Sequence, residues 1–377
     1  MSGKKLLRIL TVLAGPASVL GTGSARADWA LNLTEGATPM SRQIFDLHML
    51  VLWIVTVVGI AVFSVMVYSI IKHRKSKGAK AAQFHEKTSA EIIWTTIPFL
   101  ILVAIAVPAT QTLLAIEDTS DSDMTIQVTG YQWKWKYDYL GEDVSFFSSL
   151  AQDSRDAIEG DPHAADHYLL NVDNPLVVPT KKKIRFLVTA NDVIHAWWVP
   201  ALGFKQDAIP GFINDAWAYI DEPGTYRGQC AELCGKDHAF MPIVVEAKNE
   251  EDYKSWLAEQ KVAAAEAAAS AERDWTMEEL MAKGEQVYQS SCAACHQPNG
   301  AGLPPAFPAI TASPVATGPV EAHIDVVMHG VAGTAMQAFA GQLNDADLAA
   351  VITFERNGLG NNAGDMVQPS AIKAARK

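Results

Sequence analysis

Between about residue 45 and residue 71 the chain is almost continuously apolar, and a second such run spans about 92–116. As a helix, each is long enough to cross the hydrocarbon of a bilayer. The second carries Pro98 and Pro108, which membrane helices tolerate. Lys72, His73, Arg74, Lys75, Lys77 and Lys80 crowd the short connection, and a basic loop of this kind stays on the cytoplasmic side. A shorter apolar run, Ile9 to Leu20, follows Lys4, Lys5 and Arg8 and precedes Ala25-Arg26-Ala27. That order reads as a secretory signal over residues 1–27, cleaved before Asp28. Both signals place the ends of a hairpin spanning residues 28–118 outside the cytoplasm.

Beyond residue 118 the pattern shortens. Met124–Gly130 and Lys183–Thr189 are β-branched and partly alternating, and Pro and Gly punctuate the chain at Asn174-Pro175, Pro210-Gly211 and Pro223-Gly224. Residues 119–251 therefore read as an all-β antiparallel sandwich. Within it, residues 145–166 look like a polar surface insertion, with His163 and His167 in solvent. Trp133, Trp135 and Tyr137 alternate with polar residues, so one strand face carries all three. From Asp252 to Glu272 the chain turns to Ala, Glu, Lys and Gln without Gly or Pro. That composition makes a helical, semi-rigid spacer over residues 252–273. It separates a last domain, 274–377.

Charge narrows the partners. Asp and Glu number 42 against 30 Lys and Arg, a formal net charge of -12. Such a surface excludes nucleic acid and suits a basic soluble protein. The four cysteines fall into two motifs, which leaves none for a structural disulfide.

The first motif is Cys230-Ala231-Glu232-Leu233-Cys234-Gly235-Lys236-Asp237-His238-Ala239-Phe240-Met241, with His195 lying 35 residues upstream of Cys230. Thiolate, thioether and imidazole together select copper or zinc over hard cations. One zinc would use two Cys and two His and leave Met241 idle. Two coppers bridged by both thiolates would use every group, with Met241 and the Glu232 carbonyl as weak axial ligands. A disulfide between Cys230 and Cys234 would explain neither Met241 nor His195. The second motif, Cys292-Ala293-Ala294-Cys295-His296, is a c-type haem attachment sequence with His296 as proximal ligand. A thioether sixth ligand raises the potential. Met336 and Met328 compete for that place, and His323 and His329 are the remaining candidates.

The first motif resembles the copper A centre of cytochrome c oxidase subunit II, with both cysteines, Glu232, His238, Met241 and His195 in matching places. The segments Gly284–Tyr288, Gly302–Pro308 and Leu348–Phe354 look like the first helix, haem-edge loop and closing helix of a small cytochrome c. Gly333-Thr334-Ala335-Met336-Gln337-Ala338-Phe339 is similar to that family's Gly-x-x-Met-x-x-Phe, which favours Met336 over Met328. The resemblance implies a multidomain chain: a two-helix transmembrane hairpin, a cupredoxin-like domain and an all-α c-type cytochrome domain fused behind it.

It also implies cofactors and partners. The cofactors are a binuclear copper A centre, one covalent haem c, and a magnesium ion shared with subunit I through Glu232. Electrons would come from a soluble cytochrome c or a quinol–cytochrome c reductase, enter near Trp133, and pass to subunit I, where O2 is reduced to water with proton translocation. Lys205 and Asp207 would face subunit I, and subunit III would complete the complex. Glu91 matches a carboxylate at the mouth of a proton path; read from the residues alone, it is an acid at a helix N-terminus. The expected location is a bacterial inner membrane with both redox domains on the periplasmic side. The other reading is the electron-input subunit of a copper A nitric oxide reductase. A soluble nitrous oxide reductase does not suit the hairpin, and a copper-storage protein explains neither hairpin nor haem motif.

Overall fold

The structure is a computed structural model that describes residues 32–376 apart from 35, 81, 82 and 84. The secretory signal expected over residues 1–27 lies outside the described residues. Helix α1 (Pro39–Lys72) opens with a capping box: the Thr38 hydroxyl accepts the Ser41 N–H at 2.9 Å and the Ser41 hydroxyl accepts the Thr38 N–H at 2.9 Å. Pro39 fills the first helical position, where its missing N–H costs nothing. Helix α2 (Thr88–Glu117) returns alongside. Both helices start before the apolar runs do, because a polar first turn carries no hydropathy signal. Their best windows have mean hydropathy 2.8 and 2.3, and Trp53, Phe63, Phe99 and Leu114 point outward. Each is long and apolar enough to cross a membrane.

One end of this hairpin is fastened to the β domain. The Thr38 hydroxyl donates to the Leu202 carbonyl at 3.0 Å, and the Trp217 indole N–H donates to the carbonyls of Ala115 and Ile116 at 3.2 and 3.0 Å. Arg42 pairs with Asp221. The part-buried hydrogen bonds at the last turn of α2 satisfy carbonyls that the helix itself leaves free.

The β domain is a sandwich of two five-stranded sheets. One runs β3 (Val144–Ser148), β2 (Lys134–Tyr139), β1 (Met124–Tyr131), β5 (Lys183–Ala190), β8 (Asn214–Tyr219). The other runs β4 (Leu176–Pro179), β10 (Pro242–Lys248), β9 (Gly224–Cys230), β6 (His195–Val199), β7 (Phe204–Ala208). Strand pairing departs from the antiparallel expectation: β1 and β5 run parallel, as do β4 and β10. Those pairs are neighbours joined by long crossovers, which a parallel ladder requires. Between the sheets, Phe186, Trp197 and Phe204 stack at centroid distances of 5.2 to 5.7 Å.

The stretch 145–166 is more ordered than a polar insertion. It supplies most of edge strand β3 and helix α3 (Gln152–Glu159). Phe146 of β3 packs on Tyr137, Tyr139 and Trp256. Trp256 belongs to helix α4 (Glu250–Ser270), so the Ala-rich helix begins as part of the β domain's core. Tyr253 is buried there as well, while the later turns lie exposed.

The last domain is helical: α5 (Met277–Ser291), α6 (Ala293–His296), α7 (Pro314–Thr317), α8 (Val320–His329), α9 (Asp345–Asn357) and α10 (Pro369–Ala375). Helices α5 and α9 cross at Gly284, where an added Cβ would lie 2.2 Å from the Ala350 carbonyl oxygen. No other residue allows that approach. Tyr288 and Phe354 pack beside the crossing at 5.5 Å.

Candidate metal and haem sites

The loop between β9 and β10 folds back so that its sulfurs meet His195 at the start of β6. The Cys230 and Cys234 sulfurs are 3.8 Å apart, Cys230 Sγ lies 3.9 Å from His195 Nδ1, and Cys234 Sγ lies 3.5 Å from His238 Nδ1. The Glu232 carbonyl is 3.3 Å from Cys230 Sγ. Ligand atoms of His195, Cys230 and Cys234 all fall within 4.8 Å of one another, and the three residues are buried. Met241 is also fully buried, and its carbonyl accepts the Cys230 N–H at 3.0 Å. Soft donors gathered in an apolar shell fit copper.

The electrostatics favour thiolate character on one sulfur. The hydrogen bond from Cys234 holds the Cys230 thiol well below the usual range, despite burial. The same shared proton, helped by burial, holds Cys234 above it. Burial opposes charge on His195, but its hydrogen bonds to Asp192 and Cys230 outweigh that and raise it.

Asp192 was not visible as a site residue in the sequence. Its Oδ1 lies 2.8 Å from His195 Nε2, which turns Nδ1 toward the sulfurs, and a carboxylate behind a ligand imidazole fixes the ring's orientation. The only trace is its position three residues ahead of His195. Gly130 completes the fit, since a Cβ there would stand 2.8 Å from the His195 ring.

Trp133 is half-buried beside this cluster. Its indole N–H donates to the Cys234 carbonyl at 3.1 Å, and the Lys236 ammonium lies 5.2 Å from its ring centroid. Trp135 is fully buried in the core. The Glu232 side chain is exposed. Glu91, exposed in the first turn of α2, accepts the Lys87 N–H at 3.4 Å.

The second site is a cavity of about 420 Å³ lined by Cys292, Cys295, His296, Met336 and apolar side chains. His296 Nδ1 lies 2.8 Å from the Pro308 carbonyl, which leaves Nε2 as the free ring nitrogen. Met328 is in the helical core at 1 % exposure. His329 is exposed beside Asp325, and His323 Nε2 is held by Glu355 at 2.8 Å. His323 Nδ1 is buried without a partner among the described residues, in the wall of the same cavity. An apolar cavity with two cysteines, a tethered imidazole, a thioether and an orphaned buried nitrogen fits a c-type haem. Burial raises the Cys292 and Cys295 thiols, with the Glu355 carboxylate adding to the shift at Cys292.

Membrane hairpin, copper-type cluster and c-type cytochrome domain on one chain define a membrane-anchored electron-transfer protein. Comparison with known proteins narrows the class. The family described as cytochrome c oxidase subunit II, periplasmic domain, matches residues 124–248, and the transmembrane domain of the same subunit matches residues 26–112. The family described as cytochrome c oxidase, cbb3-type, subunit III, matches residues 279–354. A probable cytochrome c oxidase subunit 2 of Rickettsia bellii is 39% identical over 238 residues, covering 63% of this chain and 86% of that protein. Cytochrome c oxidase subunit 2 of Arabidopsis thaliana is 38% identical over 239 residues, 63% of this chain and 92% of that one. The periplasmic domain of cytochrome oxidase subunit II from Bradyrhizobium japonicum is 44% identical, with 38% of this chain and 96% of that chain covered at a TM-score of 0.34. The chain belongs to the cytochrome c oxidase subunit II family and carries a cytochrome c-type domain behind it.

Proposed function

We propose that the chain is the electron-input subunit of a terminal oxidase in which His195, Cys230, Glu232, Cys234, His238 and Met241 hold a binuclear copper centre. Cys292, Cys295, His296 and Met336 hold haem c in the cavity of the last domain. Bound in these places, the two groups supply reversible one-electron chemistry. The protein's part is to fix them: Asp192 orients His195, the Pro308 carbonyl orients His296, and the sandwich core keeps water from the sulfurs. Little then rearranges when charge changes, which is what an electron relay needs.

In the assembled complex the chain takes electrons from a cytochrome c or from quinol–cytochrome c reductase. It delivers them to subunit I, where O2 is reduced and protons are translocated. Glu91 serves the proton path on the cytoplasmic side and Glu232 lends one ligand to a magnesium shared with subunit I. Trp133 conducts into the copper loop. Both redox domains stand on the periplasmic side of the inner membrane, and subunit III joins the complex.

The observation that carries this reading is the two-sulfur, two-imidazole cluster and a haem-attachment motif within one chain. Its test is optical and electron paramagnetic resonance spectroscopy of the Cys234→Ser variant of the full chain. The delocalised copper signal should vanish with the c-type haem spectrum unchanged. Loss of both together would sink the reading of two independent sites.

A further inference from the structure

Gln132 uses three of its polar groups in three directions. Its backbone N–H donates to Asp192 Oδ2 at 2.7 Å, and Asp192 Oδ1 holds His195. Its side-chain amide donates to the Cys234 carbonyl at 2.8 Å. Its own carbonyl accepts from the side chain of Gln337, at 3.2 Å, across the boundary to the last domain. Gln337 adjoins Met336 in the cavity wall. The amide oxygen of Gln337 accepts from Gln342 Nε2 at 2.9 Å, so its N–H faces Gln132. Gln342 is itself buried and also donates to the Ala338 carbonyl. Among the described residues this is the one hydrogen bond joining 119–251 to 274–376.

A second contact stands two residues on. The Lys134 ammonium lies 4.5 Å from the Phe147 ring and 5.8 Å from that of Phe339, so one buried cation is shared between an aromatic of each domain. Phe339 lies three residues beyond Met336. The short segment 132–134 thus touches the copper loop on one side and the Met336 segment on the other.

We propose that Gln132 is a positioning residue common to both redox sites, fixing the Met336 segment through Gln337 against the Cys234 carbonyl and, through Asp192, against His195. This rests on the functional reading above. Geometry between two centres held by one residue stays constant while each domain breathes. Removing the Gln337 donor frees the haem domain to lift from the copper loop without disturbing either ligand set.

The test is Gln337→Glu in the full chain, an isosteric change that turns a donor toward the Gln132 carbonyl into an acceptor. Hydrogen exchange in segments 130–137 and 333–340 should rise together, by up to about tenfold, the weight of one hydrogen bond on a docking equilibrium. Flash photoreduction of the haem should show slower electron equilibration with the copper centre, with each centre's own spectrum unchanged. Gln132→Met keeps the backbone bond to Gln337, so it should leave the exchange of 333–340 as it is while perturbing the copper spectrum. Unchanged exchange of either segment in Gln337→Glu, or an unchanged internal rate, overturns the proposal. Copper and haem spectra of the unsubstituted chain report on the functional reading separately, because exchange needs no redox-active centre.

Discussion

The two cysteine pairs of this chain sit in opposite surroundings. Cys230 and Cys234 are buried at the end of a sheet, within reach of two imidazoles, and one is held toward thiolate. Cys292 caps α6 and Cys295 lies within it; both line a cavity and are pushed toward the neutral thiol by burial. The first cluster is positioned by strand pairing, since β6 and β9 set Cys230 opposite Trp197, two residues from His195. The second site is a cavity of the helical domain lined by Cys292, Cys295, His296 and Met336. One pair is therefore set by strand pairing and the other by a cavity between helices, both in one protein.

The largest effect that would sharpen this contrast lies at the seam. Burial lowers the Lys134 amine from 10.5 to about 8. Because the folded value is below the unfolded one, the charged form is penalised in the fold. That penalty is full below about pH 8 and is relieved as pH rises from about 8 toward 10.5, so stability increases with pH in that window. The effect is on the order of 3 kcal/mol. Lys134→Met should stabilise the full chain at pH 7, with the advantage shrinking by pH 10; thermal unfolding across that range checks it. A difference that does not vary with pH would show that the amine carries no such penalty.

Next comes the haem domain alone. Gly284→Ala drives a methyl into the α5–α9 crossing and should cost about 2 kcal/mol, as overpacked sites do. Haem absorbance should melt earlier while the copper signal keeps its midpoint. A shared drop would mean the two regions unfold as one.

The smallest effect belongs to the copper side. Asp192→Asn leaves the sulfurs in place but loosens the grip on His195, and copper affinity should fall about tenfold, the lower end of what a lost ligand-orienting partner costs. Competition with a copper chelator measures it. An unchanged affinity would show that the β6 backbone alone fixes the ring.

How much of this was legible depended on distance along the chain. Cys230, Cys234, His238 and Met241 fall on one loop at fixed intervals, and Cys292, Cys295 and His296 on one turn, so their chemistry can be read from spacing. Asp192, Gln132, Lys134 and Gln337 gave no such signal. Gln132 meets Cys234 across 102 residues and Gln337 across 205, and polar side chains at such separations read as surface. Strand β3 stayed hidden because a five-residue edge strand with adjacent phenylalanines does not alternate. The parallel pairs β1–β5 and β4–β10 followed from crossover connections that local pattern does not encode. The start of α4 looked like spacer because Tyr253 and Trp256 are too few to mark a buried face, yet both dock on the sandwich.

Metal analysis of the purified full-length protein, paired with its electron paramagnetic resonance spectrum, bears most directly on the cluster at Cys230 and Cys234. Two coppers for each haem, with the unpaired electron shared between them, are the expected result. A single zinc, or one copper per chain with a localised signal, would contradict it.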